Sequence, residues 1–360
     1  MNPLRLDLTM RLASSLGVLE GVELIAPDPV GEQDLLRIHS APYIEMVKRE
    51  LPAAMFGLGN DDNPVFARMH EASSVIVGGT LRAAQEIAAG RARRAVSIGG
   101  GMHHAMRNNA SGFCVYNDIA VAISWLLDNG FDRIAYVDVD VHHGDGVQRA
   151  FEGDPRVLTI SIHQHPATLW PGTGYPTEVG TGRGEGSTIN LAVPPQTTDL
   201  LWLRGFHAVV PGVLASFRPQ IVVSQCGVDT HREDPLADLS LTVDGQRAAF
   251  RAMRELADTH ADGRWLAVGG GGYGLVRVVP RAWTHLLAAA LDRDLDVDTP
   301  IPDSWRSQVR DAPATMSDGG DVNYERWDGS GVHTAVDKAI LATRKAVFPL
   351  LGLDPDDARD

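Results

Sequence analysis

Between Tyr136 and Gly146 the chain reads YVDVDVHHGDG, a strand-like alternation that runs into metal-binding and acid/base side chains. Val137, Val139 and Val141 alternate with Asp138, Asp140 and His142. A period of two places the three polar groups on one face, near the carboxyl end of a strand. Asp140 and His142 are hard and borderline ligands for a divalent ion, and the single residue between them lets both point at it. His143, Gly144, Asp145 and Gly146 then leave the strand through a tight turn. Ordinary turn chemistry accounts for that exit. It does not account for two carboxylates inside a valine strand, where an unpaired charge is costly. A metal or catalytic site is expected here.

Three other clusters carry compatible chemistry. His103 and His104 follow Gly99 to Gly101, and glycine permits close backbone approach. Adjacent histidines alone are a weak signal. A histidine that moves protons needs a carboxylate to fix its tautomer and tune its pKa. With Asp140 assigned to metal, Asp138 and Asp145 remain, one for each histidine. Asp234, in GVDTHREDPL, would add a third ligand and leave zinc an open position for water, as catalytic zinc requires. Read alone, its Asp-Pro step is a turn start. The VGGGGYG stretch at 268–274 lacks the G-x-G-x-x-G spacing and the downstream acid of a dinucleotide loop. The other reading is that its glycines make room for Tyr273 to reach the metal, where a tyrosine hydroxyl can donate to an oxyanion.

These clusters need elements to hold them. Apolar strands are expected at 95–99, 133–141, 157–163, 188–193, 221–226 and 265–269, with helices at 71–89, 116–127, 200–217, 242–260 and 279–292. Leu4, Leu6, Leu8, Leu12, Leu16 and Leu19 fit an amphipathic helix, and Gly78-Gly79 in the 71–89 helix implies close packing. Strands alternating with helices predict an α/β fold: one domain, a mostly parallel multi-stranded sheet with helices on both faces. Ligands in such sheets bind beyond the carboxyl ends of the strands. Every cluster above falls there. The tail from 293 is rich in Asp, Pro, Ser and Gly, holds one helical segment at 336–348, and ends in a DPDDARD expected to fray.

Composition narrows the function. Thirty-two basic against 46 acidic residues give a net charge of -14. This disfavours nucleic acid, which needs a positive footprint, and favours a cationic or neutral substrate. Two cysteines, Cys114 and Cys226, supply no disulfide framework, which predicts a cytoplasmic setting. No apolar run reads as long enough to span a bilayer, and no membrane partner is expected. The sequence carries no signal for an oligomeric state.

GGGMHHA at 99–105, SGFCVYND at 111–118, VDVDVHHGDGV at 137–147, PGTG at 171–174, Asp234-Pro235 and GGGGY at 269–273 occur in the order seen in the zinc-dependent histone deacetylase family. The chain resembles that family from about residue 1 to 292, leaving 293–360 as a peripheral C-terminal extension. DDNPVF at 61–66, GVDTHREDPLADLSLT at 227–242 and the extended C-terminus resemble its bacterial acetoin-utilisation branch. The resemblance implies the arginase/deacetylase fold and a set of roles. Asp140, His142 and Asp234 would bind zinc, or ferrous iron. His104, paired with Asp145, would be general base and then acid. His103, paired with Asp138, would assist electrostatically, and Tyr273 would polarise the acetyl carbonyl. Phe113 and Trp170 would wall an acyl-lysine tunnel, narrower for the tryptophan, with the Gly112 carbonyl accepting the lysine N–H. Asp62, or its neighbour Asp61, would hold the substrate backbone at the rim. Arg5 matches an internal-tunnel arginine. A structural potassium ion would be held by Asp138, Asp140, His142, Ser161 and Ile162, largely through backbone oxygens.

There are departures. Met1 stands where the resembled proteins carry an internal methionine after a first strand and a Gly-His-Pro stretch, so that strand is expected to be missing. The related arginases place an acid two residues beyond Asp229; His231 is there instead, which implies a mononuclear site. The resemblance implies a metal-dependent amidohydrolase acting on acetylated protein lysines, with acetyl-CoA synthetase as the implied partner. The alternative is an acetylpolyamine or other small acetyl-amine hydrolase. A non-catalytic binding protein is disfavoured, since neither a ligand nor Tyr273 is lost.

Overall fold

The structure is a computed structural model that describes residues 2–293 and 295–360. Met1, on which the expected loss of a first strand turns, lies outside the described residues. The first half of the chain runs α1 (Leu4–Ser15), α2 (Glu32–Leu35), α3 (Ala41–Arg49), α4 (Met69–Ala88), β1 (Arg94–Ser97), α5 (Asp118–Asp128), β2 (Ile134–Asp138), α6 (Asp145–Phe151) and β3 (Val157–Gln164). The second runs β4 (Thr188–Val193), α7 (Asp199–Phe217), β5 (Ile221–Gln225), α8 (Val243–His260), β6 (Trp265–Val268), α9 (Val279–Ala290), α10 (Asp303–Arg306) and α11 (Ala335–Val347).

Among the described residues the strands form one six-stranded sheet in the order β1-β6-β5-β2-β3-β4, and every neighbouring pair is parallel. Parallel strands are buried on both faces, so alternate residues enter different cores. Ala135 and Val137 of β2, with Leu158 and Ile160 of β3, pack under α7, α8, α9 and α11. Ile134 and Tyr136, with Val157, pack under α3, α4, α5 and α6. The chain leaves β2 toward β3 and leaves β5 toward β6, in opposite directions across the sheet. The crevice at the carboxyl ends of β2 and β5 is therefore the topological switch point, the usual ligand site of such sheets.

Local chemistry fixes the helix ends. The Asn117 side chain accepts the Ala120 N–H at the start of α5, and Thr242 accepts the Gly245 N–H at the start of α8. Gly78 lets α4 touch the backbone below it: a Cβ there would stand 1.9 Å from the Asp28 carbonyl oxygen.

Two expectations need correcting. β2 stops at Asp138, so Asp140 and His142 lie in the following loop rather than on the strand face. The carboxylates end the strand themselves: Asp138 Oδ1 accepts the Asp140 N–H (3.1 Å), and Asp140 Oδ1 accepts the His142 N–H (3.0 Å). Such local bonds compete with ladder pairing. The second concerns α7, whose 19 residues are long and apolar enough to cross a membrane by length and composition alone. Half of that stretch is buried inside the fold, where Trp202, Phe206, Val209 and Val213 pack into the core.

The tail packs closely. Trp327, Val336, Ile340, Val347 and Phe348 enter the α7–α9 core, and Ile301, Trp305 and Met316 cover α1. The terminal residues, expected to fray, are gathered by Arg344, which donates to the carbonyls of Asp354, Pro355 and Asp357 and stacks on Trp327 and Phe348.

Candidate functional site

The histidine pair sits on the loop after β1. Asp118, at the first turn of α5, accepts the backbone N–H groups of Gly101 (3.0 Å) and Met102 (2.7 Å) and the hydroxyl of Thr80 (2.5 Å). Asn117 donates to the carbonyl of Ala105 (3.1 Å). One helix N-terminus thus fixes the loop on both sides of His103 and His104. Both histidines are buried, with ring centroids 3.9 Å apart.

Each has its expected carboxylate. His103 Nδ1 lies 2.7 Å from Asp138 Oδ2, and His104 Nδ1 lies 2.7 Å from Asp145 Oδ1. The two dyads are electrostatically opposite. Burial alone would lower the His103 pKa, but Asp138 and then Asp140 outweigh it and hold it up at about 9. Burial drives His104 well below its ordinary value, helped by repulsion from His103 and His142. Burial also raises Asp145 to about 6. His104 is therefore neutral, and with its proton on Nδ1 facing Asp145, its Nε2 lone pair is free to accept one.

At the switch point, Asp140, His142 and Asp229 bring one ligand atom each within 4.8 Å of one another. His142 Nδ1 is 3.2 Å from Asp140 Oδ1 and 3.3 Å from Asp229 Oδ2. Asp140 Oδ2 also accepts from the Gln225 side chain (2.7 Å) and the Gly271 N–H (2.8 Å). Asp229 Oδ1 accepts the Val141 N–H (3.0 Å), while its buried Oδ2 has no hydrogen-bond partner among the described residues. Asp234 is outside this tight triplet. Its oxygens accept the N–H groups of Tyr273 (2.9 Å) and Leu236 (3.0 Å). Burial, then Asp229 and Asp140, push the Asp234 carboxyl well above the usual range.

This group calls for a cation. Burial opposes a charge on His142, yet Asp140 and Asp229 pull its pKa up to about 10. Burial and Asp140 push Asp229 up. An orphaned carboxylate oxygen, a second carboxylate and an imidazole converging on one point form a donor set that fits a divalent ion.

Tyr273 follows the glycine run and is kept protonated, first by burial and then by Asp229 and Asp140. A Cβ on Gly271 would stand 1.8 Å from Asp229 Oδ2, so only glycine lets this loop pass over the carboxylates. Arg5, on α1, donates to the Gly272 carbonyl (3.1 Å) and lies over Trp283, 4.9 Å from the ring centroid. Phe113 sits edge-on to Tyr273 at 5.9 Å, and Trp170 edge-on to His104 at 4.6 Å. Gly112, beside Phe113, lines the same cavity as His104, His142 and Tyr273. Trp170 is 45% exposed, so it belongs to the mouth. Asp61 and Asp62 are both exposed. Of the five residues expected around potassium, Asp138 and Ser161 are register partners on β2 and β3, Ile162 follows in β3, and Asp140 and His142 occupy the loop after β2. His231, which replaces the arginase acid, uses both ring nitrogens elsewhere, on Asp318 (2.8 Å) and on the Glu233 N–H (3.1 Å).

Sequence reasoning missed Gln225, Tyr136 and the role of Asp118. Gln225 holds Asp140, and the Tyr136 hydroxyl donates to the same Asp138 oxygen that faces His103. Both are polar groups in otherwise apolar buried strands, and that was the available signal.

The histone deacetylase domain model matches residues 1–290. The acetoin utilization protein AcuC of Bacillus subtilis is 41% identical over 311 residues, covering 84% of this chain and 80% of that one. AcuC of Staphylococcus aureus (strain MRSA252) is 38% identical over 301 residues, covering 82% and 77%. The crystal structure of an HDAC homolog complexed with SAHA superposes with a TM-score of 0.80 at 29% identity, covering 94% of this chain and 92% of that one. An HDAC homolog from Aquifex aeolicus gives 0.80 at 28%, with the same coverage. The fold is thus that of the arginase/deacetylase proteins, and the chain belongs to the histone deacetylase family as an AcuC-like deacetylase.

Proposed function

We propose that this protein is a zinc-dependent amidohydrolase that removes acetyl groups from lysine side chains of proteins. The observation that carries this reading is the pair of histidine–carboxylate dyads with opposite charge preference, set against a buried Asp/His/Asp cluster. Asp140, His142 and Asp234 would hold the ion. Bound there, it would supply Lewis acidity, lowering the pKa of water and polarising the acetyl carbonyl.

The chain's own groups account for the rest. Neutral His104 accepts the water proton at Nε2 while Asp145 keeps the ring oriented and stabilises the imidazolium. Protonated Tyr273 donates to the carbonyl oxygen as it gains negative charge. His103, held cationic by Asp138, adds positive charge beside it. His104 then returns its proton to the departing lysine nitrogen, and acetate and the free amine leave. Phe113 and Trp170 bury the lysine methylenes and exclude water from the amide, and the Gly112 carbonyl accepts the amide N–H. Asp62 at the rim accepts backbone N–H groups of a peptide. Arg5, which donates to the Gly272 carbonyl next to Tyr273, would line the inner end of the tunnel. A structural potassium ion would be held by the backbone oxygens around Asp138, Asp140, His142, Ser161 and Ile162. Within this reading the partner is an acetylated metabolic enzyme, with acetyl-CoA synthetase the first to test, and ferrous iron is the alternative metal.

A second assignment of the third ligand has a specific observation behind it: Asp229 Oδ2, not Asp234, lies 3.3 Å from His142 Nδ1. Asp229 lines the cavity together with Asp140 and His142, whereas the case for Asp234 rests on the Asp-Pro step that the resemblance assigns to the metal. Metal content of purified Asp234→Ala and Asp229→Ala decides. Loss of zinc in Asp234→Ala, together with loss of acetyl-lysine hydrolysis, supports the proposal. Full zinc in that variant with loss in Asp229→Ala transfers the role to Asp229.

A further inference from the structure

The loops that deliver Asp234 and Tyr273 are tied to each other and to the C-terminal segment by a closed ring of polar contacts. Asp318 stands at the point where the ring meets that segment. Its Oδ2 faces His231 Nε2 at 2.8 Å and accepts the Val243 N–H at 3.0 Å. Its Oδ1 pairs with Arg281 Nη2 at 2.8 Å. His231 accepts the Glu233 N–H at Nδ1 (3.1 Å), which places its proton on Nε2, pointing at Asp318. The Glu233 carboxylate takes both the Nε (2.8 Å) and Nη2 (3.2 Å) of Arg277. Arg281 then donates to the Arg277 carbonyl and returns to Asp318. The Tyr273 N–H to Asp234 Oδ2 bond, 2.9 Å, joins the same two loops.

The side chains of His231 and Arg281 are almost fully buried, and the backbone of Asp318 is itself held: its N–H and that of Gly320 both donate to Asp244 Oδ2 (2.9 and 3.0 Å). A buried, charged, doubly anchored carboxylate is expensive to place unless its partners must be fixed. Glu233 and Arg277, by contrast, are half-exposed, and such a pair holds two loops weakly by itself.

We propose that Asp318 is a positioning residue for the hydrolytic site: by gripping His231 and Arg281 together, it fixes the loops that carry Asp234 and Tyr273. This makes the segment after residue 292 part of the working site, and it rests on the roles given above to Asp234 and Tyr273. Residues that support a metal ligand typically cost roughly 10–100-fold in metal affinity or activity when removed, and Asp318 supports Asp234 through His231, whose carbonyl accepts the Asp234 N–H (2.9 Å).

The test uses the full chain with Asp318→Ala and the milder Asp318→Asn, which keeps an acceptor for His231 but loses the charge facing Arg281. Asp337→Asn is the control. Asp337 lies in the same segment, pairs with Arg204 at 2.8 Å and caps α11, and its hydrogen bonds go to Arg204, His333 and Thr334 rather than to either loop. Three readouts are taken: cobalt(II) affinity with its absorption spectrum, kcat and KM on an acetyl-lysine peptide, and amide hydrogen exchange. Asp318→Ala is expected to lower cobalt affinity and kcat by roughly 10–100-fold, with KM little changed, an altered cobalt spectrum, and faster exchange at 230–236 and 273–277. Asp318→Asn should fall between it and the parent, and it serves if the alanine variant does not fold. Asp337→Asn should lower the melting temperature and leave the other readouts alone. Parental kcat and cobalt affinity in both Asp318 variants overturn the proposal, as do equal losses in Asp337→Asn. If the parent itself neither binds cobalt nor hydrolyses the peptide, the proposed function fails; exchange in the two loops then still judges the clamp, and unchanged exchange in the variants refutes it.

Discussion

His104→Ala is expected to cost far more activity than His103→Ala. The two rings are only 3.9 Å apart and equally buried, so a general environmental disturbance would affect them alike. Their charge states differ. His104 sits well below its ordinary pKa and is ready to take a proton; His103 is held near 9 and already carries one. Removing a positioned general base costs about 10²–10⁴ in rate, or about 2.7–5.4 kcal/mol at 1.36 kcal/mol per tenfold. Removing His103 takes away one positive charge that acts on the transition state from a distance, and the loss is smaller. The sign of a pH effect follows. In the proposed role His104 must be neutral, so the acid limb of kcat/KM in the parent should lie below 6.5. His103 is one of the groups that depress His104, so His103→Ala should move that limb to higher pH. The alkaline limb set by His103 should lie at or below about 9, since a bound cation depresses it further. Initial rates on an acetyl-lysine peptide against pH, with metal content checked for each variant, measure all of this. Equal and small losses in the two variants, or an acid limb that does not move in His103→Ala, would refute the reasoning.

Three further outcomes are expected. Asp62→Asn should lower kcat/KM for acetyl-lysine peptides and leave acetylputrescine nearly unchanged, because only a peptide offers backbone N–H groups; bonds to a charged acceptor contribute about 1.5–3 kcal/mol, roughly ten- to a hundredfold. A parent that prefers acetylputrescine favours the polyamine alternative. Gly271→Ala puts a Cβ 1.8 Å from Asp229 Oδ2 and 2.9 Å from Asp140 Oδ2, so metal analysis should find the ion largely lost from a chain that still folds; full occupancy would contradict the assigned crowding. Asp118→Ala leaves the N–H groups of Gly101 and Met102 buried without their acceptor. At about 1–3 kcal/mol for each orphaned donor, chemical denaturation should register a loss of roughly 2–6 kcal/mol, with kcat falling as the histidine loop loosens.

Much of this architecture could be read from residue patterns because strand and helix signals are local. The runs 188–193 and 157–163 are apolar along their whole length, as strands buried on both faces must be, and β4 and β3 appear there within a residue. The histidine–carboxylate pairing was legible for a different reason: two histidines in one stretch and two unassigned carboxylates in another leave few combinations. What escaped reading depends on contacts between distant segments. The early end of β2 comes from carboxylates bonding their own backbone, which alternation alone does not reveal. Asp229 and Asp234 share one loop, and nothing local says that the former would come nearer to His142. The length and apolarity of α7 look alike whether its surroundings are lipid or a protein core; only Trp202 and Phe206 meeting the sheet side decide where its buried half lies. Gln225 gains meaning only when Asp140 arrives beside it from the neighbouring strand.

The strand order also governs when the site can exist during synthesis. β1 and β2 follow one another in the chain, ending at Ser97 and starting at Ile134, yet β6 and β5 stand between them in the sheet. His103 and His104 leave the ribosome with β1, and Asp138, Asp140 and His142 with β2, while the strands that must fill the gap end only at Val268. A growing chain therefore carries most of the side chains proposed to bind metal long before it owns the middle of its sheet. Insertion of β5 and β6 is a set of long-range pairings, slow by nature, and only that step brings Asp229, Asp234 and Tyr273 to the crevice. Metal uptake by nascent chains of increasing length would accordingly report completion of the central sheet.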